Sequence, residues 1–233
     1  MKAKLFATIA VLATTAVAAA DSVEMRFVNA GPGRAVTIRV DGEQYRVHAG
    51  QLNHEVLSRS GDTAPATGML ATYCVDVGEW VNTSSRTYDV AELVDAPVGS
   101  VGNGMSQDAA DAIGRLYTFA NGRQFTDDRN FSAAFQIAVW EVVADLGSPA
   151  DTLDLSEGSF KAWNLNQGTM GHVSSLLAVA TNSSILVNRR VRALTNDGAQ
   201  DQMFEVAVPL PTTGALAAVG LAGAGLITRR RRA

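Results

Sequence analysis

The apolar residues of this chain change period once, and that change limits the folds open to it. Up to Val90 they fall in short runs rich in β-branched and aromatic residues, at 23–28, 35–40, 44–47, 70–77 and 87–90. Such runs predict strands. Gly31-Pro32-Gly33 and Asp41-Gly42 punctuate them, the second being a tight-hairpin signal. Residues 58–68 and 95–104, rich in Gly, Pro, Ser and Thr, read as loops. From Ser106 the spacing becomes helical, with Ala109, Ile113, Leu116, Tyr117 and Ala120 on one stripe. Ser106 is placed to cap that helix and Asn121-Gly122 to end it. A second helix is expected over 131–146, capped by Asn130 and stopped by Gly147-Ser148-Pro149. A third is expected within 173–180 and a last strand over 202–208, while 181–190 carries no clear pattern. Strands first, helices later and no fixed repeat describe a single α+β domain: a β-rich N-terminal part with a helical insertion.

The folding unit is bracketed by two address-like ends. Residues 1–20 read as a secretory signal, with Lys2 and Lys4 ahead of an apolar run and Ala18-Ala19-Ala20 at the cleavage point. The mature chain is then expected to begin near Asp21. An uncleaved anchor would need a longer apolar span. Residues 206–233 hold Val208-Pro209-Leu210-Pro211-Thr212-Thr213-Gly214, an apolar run over 215–227 and four arginines, Arg229 to Arg232. Leu210 to Gly214 matches the LPxTG motif cut by sortases. Val208 to Pro211 resembles the VPxP start of PEP-CTERM tails, which exosortases process, and the Gly/Ala-rich run and all-arginine stop look more like these. Both readings imply an exported protein at the cell surface or envelope, with transient membrane contact through the tail. Between the ends, residues 21–205 carry every acidic side chain, 23 in all, against thirteen basic ones. That balance is opposite to a nucleic-acid binder's.

Chemistry is constrained by scarcity. One cysteine excludes an internal disulfide, a multi-cysteine zinc site and an iron–sulfur cluster. The three histidines, His48, His54 and His172, mark no metal or acid–base site in their local sequence. Asp151, Asp154 and Glu157 lack the spacing of a calcium loop. No metal or cofactor is therefore expected. A lone cysteine in an exported chain is a buried small hydrophobe, an intermolecular disulfide partner or a nucleophile.

Its context favours the last. Cys74 stands in Thr72-Tyr73-Cys74-Val75-Asp76, and Phe135-Gln136-Ile137-Ala138-Val139-Trp140-Glu141 follows downstream. The pair resembles the signature of the Cys–Gln thioester domains of bacterial surface proteins, over residues 70–146. The resemblance implies an internal thioester between Cys74 and Gln136. It also implies a single-turnover covalent attachment, not a turnover enzyme, and adhesion to a host, matrix or cell-surface macromolecule bearing an amine or hydroxyl. The chemistry needs no cofactor. A thiolate is the strongest nucleophile among ordinary side chains, and held against a carboxamide it can expel ammonia. On the expected helix Gln136, Trp140 and Val143 share one flank, so Trp140, and Tyr73 beside the cysteine, are candidate shields against water. Asp76 and Glu141 flank the reactive residues, either to handle the proton of an incoming amine or in structural or solvated roles. Lys161 is the single lysine after the leader, which leaves few internal amines to waste a thioester.

Two other classes stay open on the sequence. A passive surface or matrix protein would keep the fold and an ordinary thiol. A cysteine hydrolase would need a histidine beside Cys74. His172 is the one downstream candidate and carries no recognisable signature.

Overall fold

A long hairpin organises the structure, a computed structural model that describes residues 20–40, 42–98, 103–147 and 153–207. The leader up to residue 19, the tail from residue 208 and Asp151 lie outside the described residues. β1 (Ser22–Val40) and β2 (Glu43–Ser60) pair antiparallel from Ser22 opposite Ser60 to Val40 opposite Glu43. Gly42 takes a positive φ of 83° at the connection, as the hairpin signal requires. The short runs at 23–28 and 35–40 are thus parts of one strand, β1, and the run at 44–47 is the start of the longer β2. Gly31-Pro32-Gly33 does not break β1; the register shifts between Ala30 and Gly33 instead. The strands come so close there that a Cβ on Gly50 would lie 2.4 Å from the Pro32 carbonyl oxygen. Only glycine fits such a bulge.

The remaining strands are β3 (Gly68–Cys74), β4 (Arg86–Glu92), the small ribbon β5 (Pro97–Val98) and β6 (Asn103–Gly104), β7 (Lys161–Trp163), β8 (Val191–Thr195) and β9 (Gln202–Glu205). Antiparallel pairings run β1–β2–β3–β9–β8–β4 and back to β1, so the sheet closes on itself, and β7 adds to the outer part of β1. Closure removes the open edges that invite association. Neither β7 nor β8 was among the expected strands, and the last strand stops at Glu205.

The two-residue period of the strands divides the apolar residues into two cores. Val23, Met25, Val56, Tyr88, Leu194 and Phe204 form one inside the ring. Val36, Ile38, Tyr73, Ala193 and Met203 point the other way, onto the helices. Neighbours such as Met203 and Phe204 therefore serve different cores.

The helices are α1 (Gln107–Ala120), α2 (Arg129–Asp145) and α3 (Gln167–Ala180). α1 is capped as expected: Ala109 N donates to Ser106 Oγ at 3.1 Å, and Asn121 closes it in the left-handed conformation. α2 begins two residues earlier than expected. Its cap is Asp128, which accepts from Phe131 N at 3.1 Å. Asn130 instead accepts from Arg34 Nε at 3.0 Å and Asn166 Nδ2 at 3.1 Å, tying α2 to β1 and α3. α3 starts at Gln167 behind an Asn166 cap, ahead of the apolar residues that signalled it. α2 is apolar on nearly every side and packs against α1, α3 and the hairpin. A helix of that pattern belongs in an interior. The architecture is a single β-rich α+β domain, with the helix that bears Gln136 laid across the outside of the closed sheet. Among the described residues no helix is long and apolar enough to cross a membrane.

Candidate functional site

Cys74 is the last residue of β3. Its backbone lies opposite Gln202 of β9 on one side. On the other side β2 pairs with β3 only as far as Thr72. Beyond that point a side chain takes the place of the missing strand. Cys74 N donates to Gln136 Oε1 at 2.9 Å, and Gln136 Nε2 donates to Cys74 O at 2.8 Å. Both hydrogen bonds are buried, and Gln136 is 1 % exposed. The carboxamide is thus clamped in one plane against the residue that carries the only thiol.

The clamp is placed by the turn of α2 before it. Ser132 Oγ donates to Pro32 O at 2.6 Å and accepts from Gln51 N at 3.2 Å, which fixes α2 on the bulge of the hairpin. Tyr73 OH meets the same hydroxyl at 2.8 Å. Ser132, Gln136 and Trp140 follow at four-residue steps along one flank, and they meet Tyr73, the Cys74 backbone and the Cys74 sulfur in turn.

The sulfur has two partners of opposite kind. Cys74 Sγ–H donates to Asp76 O at 2.7 Å, and Trp140 Nε1 donates to Sγ at 3.5 Å. Burial pushes the thiol well above its ordinary pKa. The Trp140 hydrogen bond works against that push, and the charges of Asp76 and Asp201 add to it. The pocket therefore favours a neutral sulfur over a thiolate. Asp201 is buried, and its carboxyl is pushed up to about 7 by burial first and then by Asp76, Glu79 and Asp197. Glu79 is raised by the same two causes, burial and then the charges of Asp76 and Asp197.

Cys74, Gln136 and Trp140 form the floor of a cleft of about 540 Å³. One wall is the outer part of the hairpin, with Ile38 and Val47; the other is the segment after β3, with Val77 and Val81. That segment is held by the turn before β9: Gln200 Nε2 donates to Glu79 O at 2.6 Å and Gln200 N to Trp80 O at 3.1 Å.

The other candidates sit elsewhere. Tyr73 does not line the cleft. Successive side chains of a strand point to opposite sides, and its ring packs among the helices, 4.9 Å from Phe135 and 5.7 Å from Phe125. Its hydroxyl also donates to Gln124 O, and burial drives its pKa above the ordinary value. Glu141 is fully buried beyond the cleft, and burial and then Asp145 push it up to about 8. Val143 is partly buried against the helical core. Asp76 is near the sulfur, where its Oδ1 accepts from Gly78 N at 2.7 Å. Lys161 Nζ donates to Ser156 O at 2.9 Å and lies outside the cleft. His172 stacks edge-on against Phe131, with Arg123 Nη2 3.5 Å from its ring nitrogen. His48 is the histidine in the cleft wall, where burial lowers its pKa. No local pattern signals that placement, nor that of Tyr45, Trp80 and Gln200, because each depends on how two distant segments meet. Among the described residues no group of three or more His, Cys, Asp or Glu side chains could hold a metal ion.

The arrangement suits acyl transfer. The amide N–H that meets Oε1 stands where a tetrahedral intermediate would place its negative charge, as an oxyanion donor does. No family model, curated protein or solved structure matches the chain.

Proposed function

We propose that Cys74 and Gln136 form an internal thioester and that the domain is an exported, envelope-held covalent fastener. The observation that carries this reading is the doubly hydrogen-bonded clamp of the Gln136 carboxamide on the Cys74 backbone, buried at the floor of a cleft. In the first step the sulfur attacks the carboxamide carbon, the C–N bond breaks, and the thiol proton leaves with the nitrogen as ammonia. In the second, an amine or hydroxyl on a surface or matrix macromolecule attacks the same carbon. The C–S bond breaks, and the proton passes to sulfur as Cys74 departs. The product is an amide or ester to the target and a free thiol, after one turnover. The surroundings of Sγ support this use. A thioester sulfur is neutral, so burial that penalises a thiolate leaves it untouched. A thiolate that is hard to form is also a poor leaving group for adventitious water.

Export and anchoring enter the proposal through the leader and the tail motif, with an exosortase or a sortase as the processing partner. The test is the intact mass of the purified protein before and after methylamine. A thioester gains about 31 Da as the amine adds across the C–S bond, and one free thiol appears. A mass unchanged by methylamine, with a thiol that titrates from the start, would make the domain a passive surface protein.

A further inference from the structure

The clamp lies deep, with Cys74 2 % and Gln136 1 % exposed. The residues at the outer end of the same cleft are of another kind. Tyr45, on β2 near the hairpin tip, is 37 % exposed, and Trp80, on the segment after β3, is 63 % exposed. Their rings meet edge to face, with centroids 5.6 Å apart and planes at 75°. They belong to opposite walls, so their contact bridges the cleft above its floor. Such aromatic pairs attract beyond the area they bury. The walls below are apolar, with Val47 on one side and Val77 on the other. The segment that carries Trp80 contains no helix or strand, and Gln200 holds it through the carbonyls of Glu79 and Trp80.

We propose that Tyr45 and Trp80 are specificity-determining residues, a gate that admits to Gln136 a nucleophile on an unbranched alkyl arm and turns away a branched one. The inference rests on the thioester reading. A nucleophile must pass the aromatic bridge and then the apolar walls before its reacting atom meets the acyl carbon. A straight alkyl arm does this with its methylenes against Val47 and Val77. A substituent next to the reacting atom meets the rings. Neither aromatic residue touches the reacting atoms, so their effect falls on which nucleophile arrives.

The experiment compares n-propylamine with isopropylamine, isomers of equal charge and composition, by the rate of adduct formation in the full protein. The wild-type rate ratio, straight over branched, should exceed that of Trp80→Ala by about tenfold, the scale on which a site rejects one misplaced methyl group. Tyr45→Ala should lower the ratio in the same direction, and Trp80→Phe should keep it close to wild type. If Trp80→Ala and Tyr45→Ala slow both amines alike and leave the ratio unchanged, the gate is refuted while the thioester stands. If the wild-type protein forms no adduct even with methylamine, the thioester reading itself has failed. Circular dichroism and thermal melting of each variant separate lost selectivity from lost fold.

Discussion

Of the contacts that join α2 to the end of β3, two lie one helical turn apart and do opposite things. At Ser132 the helix meets Tyr73 hydroxyl to hydroxyl, with the Tyr73 ring packed on Phe125 and Phe135, fully buried and outside the cleft that holds Cys74. At Gln136 it meets Cys74 through a carboxamide pair that is nearly as buried but opens on a cavity. The partners are adjacent in sequence on β3 and one turn apart on α2. What separates them is the alternation of side chains along β3 and the early end of its pairing with β2. The first contact is a staple whose two hydroxyls are held by backbone groups of Pro32, Gln51 and Gln124. The second places an electrophile, a nucleophile and a hydrogen-bond donor where a second molecule can arrive. On the thioester reading, access rather than burial separates the contact that reacts from the one that only holds.

The sharpest way to break the comparison is to truncate each partner on β3. Cys74→Ala should abolish the methylamine adduct entirely while the protein stays folded. Tyr73→Ala should cost about 3–5 kcal/mol of unfolding free energy, as loss of a large buried aromatic side chain does. Chemical denaturation and intact mass, run on both variants, check the pair. An adduct that survives in Cys74→Ala would refute the assignment of the nucleophile. A Tyr73→Ala protein as stable as wild type would refute the staple.

A milder change tests the helix side. Ser132→Ala removes the donor to Pro32 O and the acceptor for Gln51 N, and it leaves the Tyr73 hydroxyl short of one partner. The expected cost is about 1–3 kcal/mol, the penalty for buried polar groups that lose a partner. The adduct should still form, since Gln136 keeps both of its own hydrogen bonds. Loss of the adduct in a folded Ser132→Ala protein would mean that the two contacts are one unit.

How much of this could be read beforehand depended on whether the determinant was local. α1 was legible because Ser106 and Asn121 act within a few residues of themselves. The start of α2 was not, because Asp128 and Asn130 are both good cap residues, and the choice was made by Arg34 and Asn166 far along the chain. The fragments of β1 merged because Gly33 and Gly50 let two strands close over a segment that looked like a break. Cys74 and Gln136 stood out because each lies in a distinctive short segment. Tyr73 looked like a shield because it is adjacent in sequence, yet adjacency on a strand turns a side chain away. Trp80 and Tyr45 left no trace in the sequence, since Gln200 and the hairpin tip bring them together only in the folded chain.

The last contrast is electrostatic, and it is read as a change with pH rather than as a loss of adduct or of fold. The contact proposed to react has carboxylates near it, and the staple has aromatic rings. Asp201 faces Asp76 and Glu79 from the segment after β3, Asp197 from its own turn, and Tyr88 from β4. Its carboxyl rises from an ordinary 3.8 to about 7. A raised acid holds its proton longer in the folded state, so the unfolded chain ionises first and stability falls as pH rises through that window. Glu141, raised to about 8, acts with the same sign. His54, buried inside the ring and lowered to about 4, acts with the opposite one: stability falls as pH drops below its ordinary 6.5. The whole-protein curve mixes these, so the measurement is a difference. Asp201→Asn keeps an oxygen to accept from Asn196 N and cannot ionise. The stability of wild type relative to Asp201→Asn should decline from about pH 4 to about pH 7 and then level off, because above the folded pKa both states are charged. A difference that stays flat across that range would show that Asp201 carries its charge throughout. Asp201 would then carry a full negative charge near Cys74 at neutral pH, and the two contacts would differ in charge as well as in access.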